Sequence, residues 1–275
     1  MRYLIRTHQW GVIEHLLNTN KYNTTVPSNH EDIVHIACQE NAPQELFESL
    51  VCLHLGQLTE DYMDLGTPLI ICLFTHTNTH PPYKFLDRSS THKDRIFQKI
   101  KFLVREEPRA IFWRNTDQDS ALDISVQIGD LELTKYILGI QAHPRDPFTG
   151  IEGLPNIYSY SSEDTPPFTR SARNGDHHLM MYFLETYPNK TAYFLMHRSN
   201  PIKSAAIDGQ VTNLEQLLIR AKRMNLFTLT ERIEMFKEIV RNLEEELLDG
   251  SYNQAVGVFL NYFPHIPVMD IFFDE

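Results

Sequence analysis

His35 and Cys38 are the pair in this chain that most invites a chemical reading. Three residues apart on a helix, their side chains share a face. An imidazole beside a thiol is what activates a cysteine nucleophile. Histidines elsewhere suggest a metal: His76, His80 and His92 fall in or beside one segment, and His177 and His178 are adjacent. Zinc sites pair their Cys and His donors at short fixed spacings, and no such pairing accompanies these residues. Asp117-Gln118-Asp119 with Asp123 hints at a calcium loop, but Gln127-Ile128 ends the run where the bidentate Glu should stand. The chain holds no phosphate loop, no G-x-S-x-G elbow and no H-E-x-x-H. The sequence therefore predicts no catalytic residue, no cofactor and no metal. An enzyme with a cryptic Cys/His or loop-borne site is the rival reading.

The elements that must position these residues explain His35 and Cys38 differently. Four segments align without gaps: Asp32–Asn41, Ser120–Gly129, Pro166–Gly175 and Asn200–Gly209. Their third place is apolar (Val34, Leu122, Phe168, Ile202). Their sixth is small (Ala37, Ser125, Ser171, Ala205), and their tenth is Asn or Gly. An amphipathic stretch with bulky apolar residues follows each: Phe47 and Leu50, Tyr136 to Leu138, Tyr182 to Leu184, Leu217 and Leu218. A broken copy starts at Thr67-Pro68-Leu69-Ile70-Ile71-Cys72 and finishes at Ile100 to Val104. Trp10 to Leu17 reads as the second half of a truncated copy. The spacing predicts two short antiparallel helices per copy. The small residue admits close helix approach, and Asn or Gly ends the first helix with a left-handed residue. No copy can bury its apolar face alone, so copies stack.

This pattern resembles the ankyrin repeat, whose signature is T-P-L-H-x-A. Thr67-Pro68-Leu69 stands in one copy and Val34-His35-Ile36-Ala37 in another. The register starts at 32, 67, 120, 166 and 200, so the steps are 35, 53, 46 and 34 residues; the family period is about 33. The turn glycine before the Thr-Pro pair is missing from most copies. The resemblance implies an all-α helical-repeat solenoid with short hairpin fingers over residues 1–220. His35 then holds the signature His place and Cys38 a small buried place.

Two insertions break the period, at residues 77–92 and 139–164, each rich in Pro and aromatic residues. Insertions in a solenoid map to loops, often on the binding face; the alternative is that their aromatic residues fold back on the array as a satellite cluster. Residues 221–275 lack the repeat signature and read as a helical cap with a tail. Thr228 and Glu231 form a capping-box pattern, followed by apolar residues at helical spacing from Leu229 to Leu247. A second helix is expected from about Asn253 to Phe263. Pro267 to Glu275 is acidic and hydrophobic and is expected to pack on the cap, the alternative being a short docking or export signal.

Composition narrows the function classes. Hydrophobic residues are 42% and charged residues 22%, ordinary for a chain with a real core, and the net charge is −11. A nucleic-acid binder needs a basic footprint, and none is present globally. No stretch is long and apolar enough to span a bilayer, and Met1 to Trp10 does not read as a secretory signal. Three cysteines without a C-x-x-C argue for a reducing, cytoplasmic setting. The chain is expected to be a monomer.

The expected function is a protein-protein interaction scaffold. In ankyrin proteins partners bind the concave face, made of fingertips and first helices. Carried over by place, the resemblance implies that Glu31, Gln39, Glu40, Gly66, Phe74, Thr75, Asp119, Gln127, Ile128, Thr165, Arg173, Asn174, Ser199, Ile207 and Asp208 meet the partner. Their acidic excess favours a partner with a basic patch. The divergent copies and irregular insertions resemble ankyrin effectors that intracellular bacteria or viruses deliver into host cells, which implies action in the host cytoplasm.

Overall fold

The tenth place of each aligned segment carries a left-handed residue, with φ of 52° at Asn41, 74° at Gly129, 80° at Gly175 and 65° at Gly209. In three copies the same two hydrogen bonds surround it. The N–H after the left-handed residue donates to the carbonyl of the small sixth-place residue: Ala42 to Ala37 at 3.0 Å, Asp176 to Ser171 at 3.1 Å and Gln210 to Ala205 at 2.7 Å. The left-handed residue's own N–H reaches the next carbonyl, at Cys38, Ala172 and Ala206. This is the two-bond helix terminus that satisfies the last carbonyls and reverses the chain within a few residues.

The computed structural model describes residues 1–19, 32–59, 66–77, 90–141, 165–244 and 250–266. The chain divides into two compact units, Met1–Ile128 with Glu132–Asn156, and Gly129–Leu131 with Ile157–Glu275. Among the described residues the regular structure is helical, and the one β-type pairing is an isolated antiparallel bridge between Arg114 and Ser120. That bridge closes a short hairpin finger. The Asn115 N–H donates to the Asp119 carbonyl at 3.1 Å, and the turn passes through Gln118 at φ 62°.

In the first unit the helices are α1 (Arg2–Arg6), α2 (Trp10–Asn18), α3 (Ile33–Gln39), α4 (Gln44–Leu53), α5 (Pro68–Thr77), α6 (Ser90–Glu106), α7 (Ala121–Ile128) and α8 (Leu131–Gln141). The first helices α1, α3, α5 and α7 touch in that order, and the second helices α4 and α6 touch behind them. Val34, Ala37, Leu122 and Ser125 are fully buried in this row, as are Phe47 and Leu50 on α4. Each such apolar side chain contributes roughly 1.5–3 kcal/mol relative to exposure. The expected insertions are shorter at their described ends. Thr77 completes α5, Ser90 opens α6 and Gln141 completes α8; the rest of both insertions lies outside the described residues.

The second unit contains α9 (Pro167–Arg173), α10 (His177–Thr186), α11 (Thr191–Met196), α12 (Pro201–Ile207), α13 (Val211–Met224), α14 (Leu229–Glu244) and α15 (Gly250–Tyr262). First helices α9 and α12 touch, and so do second helices α10 and α13. Proline at the first position of α5, α9 and α12 fits a place whose N–H is unused. The expected capping box is present. Glu231 Oε2 accepts from the Thr228 N–H and hydroxyl at 2.7 and 2.8 Å, and the Glu231 N–H donates to Thr228 Oγ1 at 3.3 Å.

The C-terminal helices extend the same arrangement. Helix α14 packs on first helix α12, and α15 packs on second helix α13. The expected boundary at Arg220 falls inside α13, and α14 and α15 share the unit of α9–α13 because they continue its two rows. Helix α15 opens at Gly250, earlier than the expected Asn253, and ends at Tyr262. Leu247 and the tail 267–275 lie outside the described residues.

Lys99 on α6 is a buried cation. Its Nζ donates to Asn41 Oδ1 at 2.6 Å, beside the carbonyl end of α3, and lies 5.4 Å from the centre of the Phe47 ring. The helix dipole favours a cation at that end. Burial nevertheless pushes the amine below the ordinary lysine range.

Two outcomes follow from these termini. Gly209→Ala forces a side chain onto a left-handed backbone and should cost about 1–2 kcal/mol. Gly139→Ala, in α8 with open space around the new methyl, should gain about 0.5–1 kcal/mol. Urea unfolding of both variants reads the opposite signs. Lys99→Met tests the buried amine. A lysine whose folded pKa lies below its unfolded one is protonated more readily when unfolded, so its penalty applies at low pH and is relieved as pH rises toward the ordinary lysine range. The stability of the wild type relative to Lys99→Met should therefore increase between about pH 7 and pH 10. A difference that stays flat or falls contradicts the assignment.

Candidate functional site

Thr75 and Thr165 do not face outward. Thr75 is fully buried and its hydroxyl donates to the Cys72 carbonyl at 2.8 Å. Thr165 is also buried. Gly66, also expected to meet the partner, is buried at φ +94°, where an added Cβ would stand 2.7 Å from an Ile70 methyl. The expectation that these residues meet a partner is corrected by their burial. Helix α5 is apolar all round and is flanked by α3, α6 and α7, so its inward face includes the place that is solvated in an amphipathic helix. Glu31 lies outside the described residues.

The remaining expected residues are at least partly accessible. In the first unit Gln127 is exposed, and Gln39, Glu40, Phe74, Asp119 and Ile128 are half-buried. Glu40 pairs with His8 Nε2 at 3.1 Å, and the His8 ring stacks on Trp10. Asp119 stands at the root of the finger, its N–H bound to Asn115 Oδ1 at 2.8 Å. In the second unit Arg173 and Asn174 are exposed, and Ser199, Ile207 and Asp208 are half-buried. Arg173 Nε lies 3.4 Å from Asp208 Oδ2, so these two expected contacts meet each other across α9 and α12.

The pair that first suggested chemistry sits deep in the fold. His35 and Cys38 are both fully buried on α3. Burial pushes the Cys38 thiol up, and a hydrogen bond with Cys72 on α5 adds to the shift. Such a thiol keeps its proton at neutral pH, the opposite of an activated nucleophile. Asp123 is buried too, where its Oδ2 accepts from the Ser120 N–H at 2.9 Å and hydroxyl at 2.6 Å and so caps α7. Among the described residues no cluster of His, Cys, Asp or Glu could hold a metal ion. No helix there is long and apolar enough to cross a membrane.

A site that the sequence reading missed lies within the second unit. A groove of about 250 Å³, open to solvent, runs between the residues before α12 and the face of α14. Phe227, Met235 and Met196 supply its apolar surface. Phe227 and Met235 are nearly buried, whereas Met196 is 55% exposed at the end of α11. Beside Met235 on α14 stand Glu231, Glu234 and Glu238, spaced at i, i+3 and i+7 on one helix face. The Glu231 carboxylate is held below the usual range by the two Thr228 bonds of its own cap. Lys203 of α12 reaches across to Glu238 at 2.6 Å.

The edge before α12 is fixed by Asn200. Its Oδ1 caps the N–H groups of Ile202 and Lys203 at 2.8 and 3.3 Å, and its amide donates to the Leu195 carbonyl at 3.0 Å. His197 Nδ1 accepts the Ser199 N–H at 3.1 Å, and burial pushes this imidazole below the ordinary range, which keeps it neutral at pH 7. Ser199, expected at the partner face, is therefore part of the frame of this groove: its carbonyl accepts from the Thr169 hydroxyl at 2.9 Å. The spacing of the three glutamates was the available signal, but it reads equally well as a solvated helix face. No known protein family matches the chain, and no curated protein matches it.

Proposed function

We propose that this chain is a divergent ankyrin-type repeat solenoid with hairpin fingers that recognises a partner protein through its first helices. The observation that carries the reading is the recurrence of one helix terminus at Asn41, Gly129, Gly175 and Gly209. That terminus places first helices next to first helices in each unit. It leaves one face of each row for side chains that the core does not claim: Gln39, Glu40, Gln127, Ile128, Arg173, Asn174, Ile207 and Asp208. Among the described residues the Cys38 thiol is buried and pushed up rather than activated, which favours binding over Cys/His catalysis. The chain's net charge of −11 favours a partner with a basic patch. The likeness to delivered effectors makes a host-cell protein the partner to seek.

Site-specific photo-crosslinking tests the assignment. A photoreactive residue at exposed Gln127 or Arg173, on first helices, should yield partner adducts in lysate. The same residue at exposed Glu132 or Glu185, on second helices, should not. Adducts arising equally from all four, or from the second helices alone, overturn the reading. With the captured partner, Ile128→Asp should weaken binding about tenfold or more through faster dissociation. Glu40→Lys should mainly slow association, less so at high salt.

A further inference from the structure

We propose that the groove between the residues before α12 and the face of α14 is a peptide-binding site for a basic segment that carries one bulky apolar side chain. The proposal rests on the scaffold reading and adds where one segment of the partner docks and what its chemistry is. The apolar side chain goes to the floor. Phe227 and Met235 form it, and Met196, 55% exposed, forms its lip. Methionine thioethers adapt to different apolar shapes, which suits a pocket for a side chain rather than for one rigid ligand. The groove volume of about 250 Å³ is of the order of one or two large side chains and too small for a folded element.

The charges select the flanks of the segment. Three carboxylates and two cations, Lys203 and Arg198, line the groove, and His197 is neutral. The Lys203 ammonium lies 2.6 Å from Glu238 and cancels it. Glu231 stays ionised because its cap bonds favour the charged form, and it is solvent-exposed. The Glu234 side chain is 67% exposed, and its ion pair with Lys237 along the same helix is long, at 3.7 Å. Glu231 and Glu234 therefore give the α14 side of the groove a negative rim, which complements lysine or arginine next to the buried apolar residue. An acidic segment would meet this rim with like charge.

Selection from a phage library of random twelve-residue peptides against the full chain tests this directly, with counter-selection on a Met196→Asp/Glu234→Lys double variant. Both positions are exposed, and circular dichroism and urea unfolding verify that the variant keeps its fold. Peptides retained by the wild type and lost on the variant should pair one large apolar residue with flanking lysine or arginine. For a peptide so enriched, fluorescence anisotropy should show about tenfold weaker binding to Glu234→Lys, a comparable loss for Met196→Asp, and further weakening as salt is raised. No peptide preferring the wild type, or enrichment of acidic or purely polar peptides, overturns the proposal. The broader reading stands or falls separately. If crosslinks from Gln127 and Arg173 still trap a partner whose affinity ignores Met196→Asp and Glu234→Lys, the scaffold survives and the groove does not.

Discussion

The whole arrangement depends on how each first helix stops. Helices of seven or eight residues, such as α3, α7, α9 and α12, are too short to persist alone in water. They hold because the left-handed residue after them reverses the chain at once and lays the following helix against the same core. In three copies the carbonyl accepting the reversing bond belongs to the small residue that lets the neighbouring helix come close. Termination and packing are thus set by residues only four places apart, and a change at either place disturbs both.

That coupling made much of the fold legible. A small residue and a Gly or Asn at fixed separation are visible in sequence because each answers a steric demand with few solutions. The capping box at Thr228 and Glu231 was legible for the same reason. What escaped has no periodicity to show. Each second helix in three copies is followed by a short 3-10 turn, Leu55–Thr59, Pro108–Phe112 or Pro188–Lys190, and these run on irregular sequence. Gln57 in the first of them accepts the Val34 N–H at 3.0 Å, so even these turns help to start a helix. Helices α14 and α15 escaped as a continuing pair because α14, with sixteen residues, carries neither the small residue nor the glycine stop at the expected places. The inward turn of Thr75 escaped because carrying places over from a family counts residues but not the neighbours that surround them.

The groove in the second unit arises from that long fourteenth helix. An ordinary short first helix would end before placing three glutamates in line; α14 continues, and its polar face looks onto the residues that precede α12. Asn200 makes the opposing edge stiff by holding two N–H groups and one carbonyl at once. The same edge carries the exposed Met196, so a fixed backbone there bears a side chain able to fit different apolar shapes.

The pairing of Asn41 with Lys99 bears on how such a chain can change over generations. Repeat proteins are often pictured as interchangeable modules, gained and lost by duplication. Here the tenth-place residue of one copy is Asn rather than Gly, and its side chain holds a cation from the second helix of the next copy. Copying the later segment without the earlier one would strand a buried amine. A change at Asn41 or Lys99 is therefore tolerated best with a matching change at the other, which ties two segments 58 residues apart to one another.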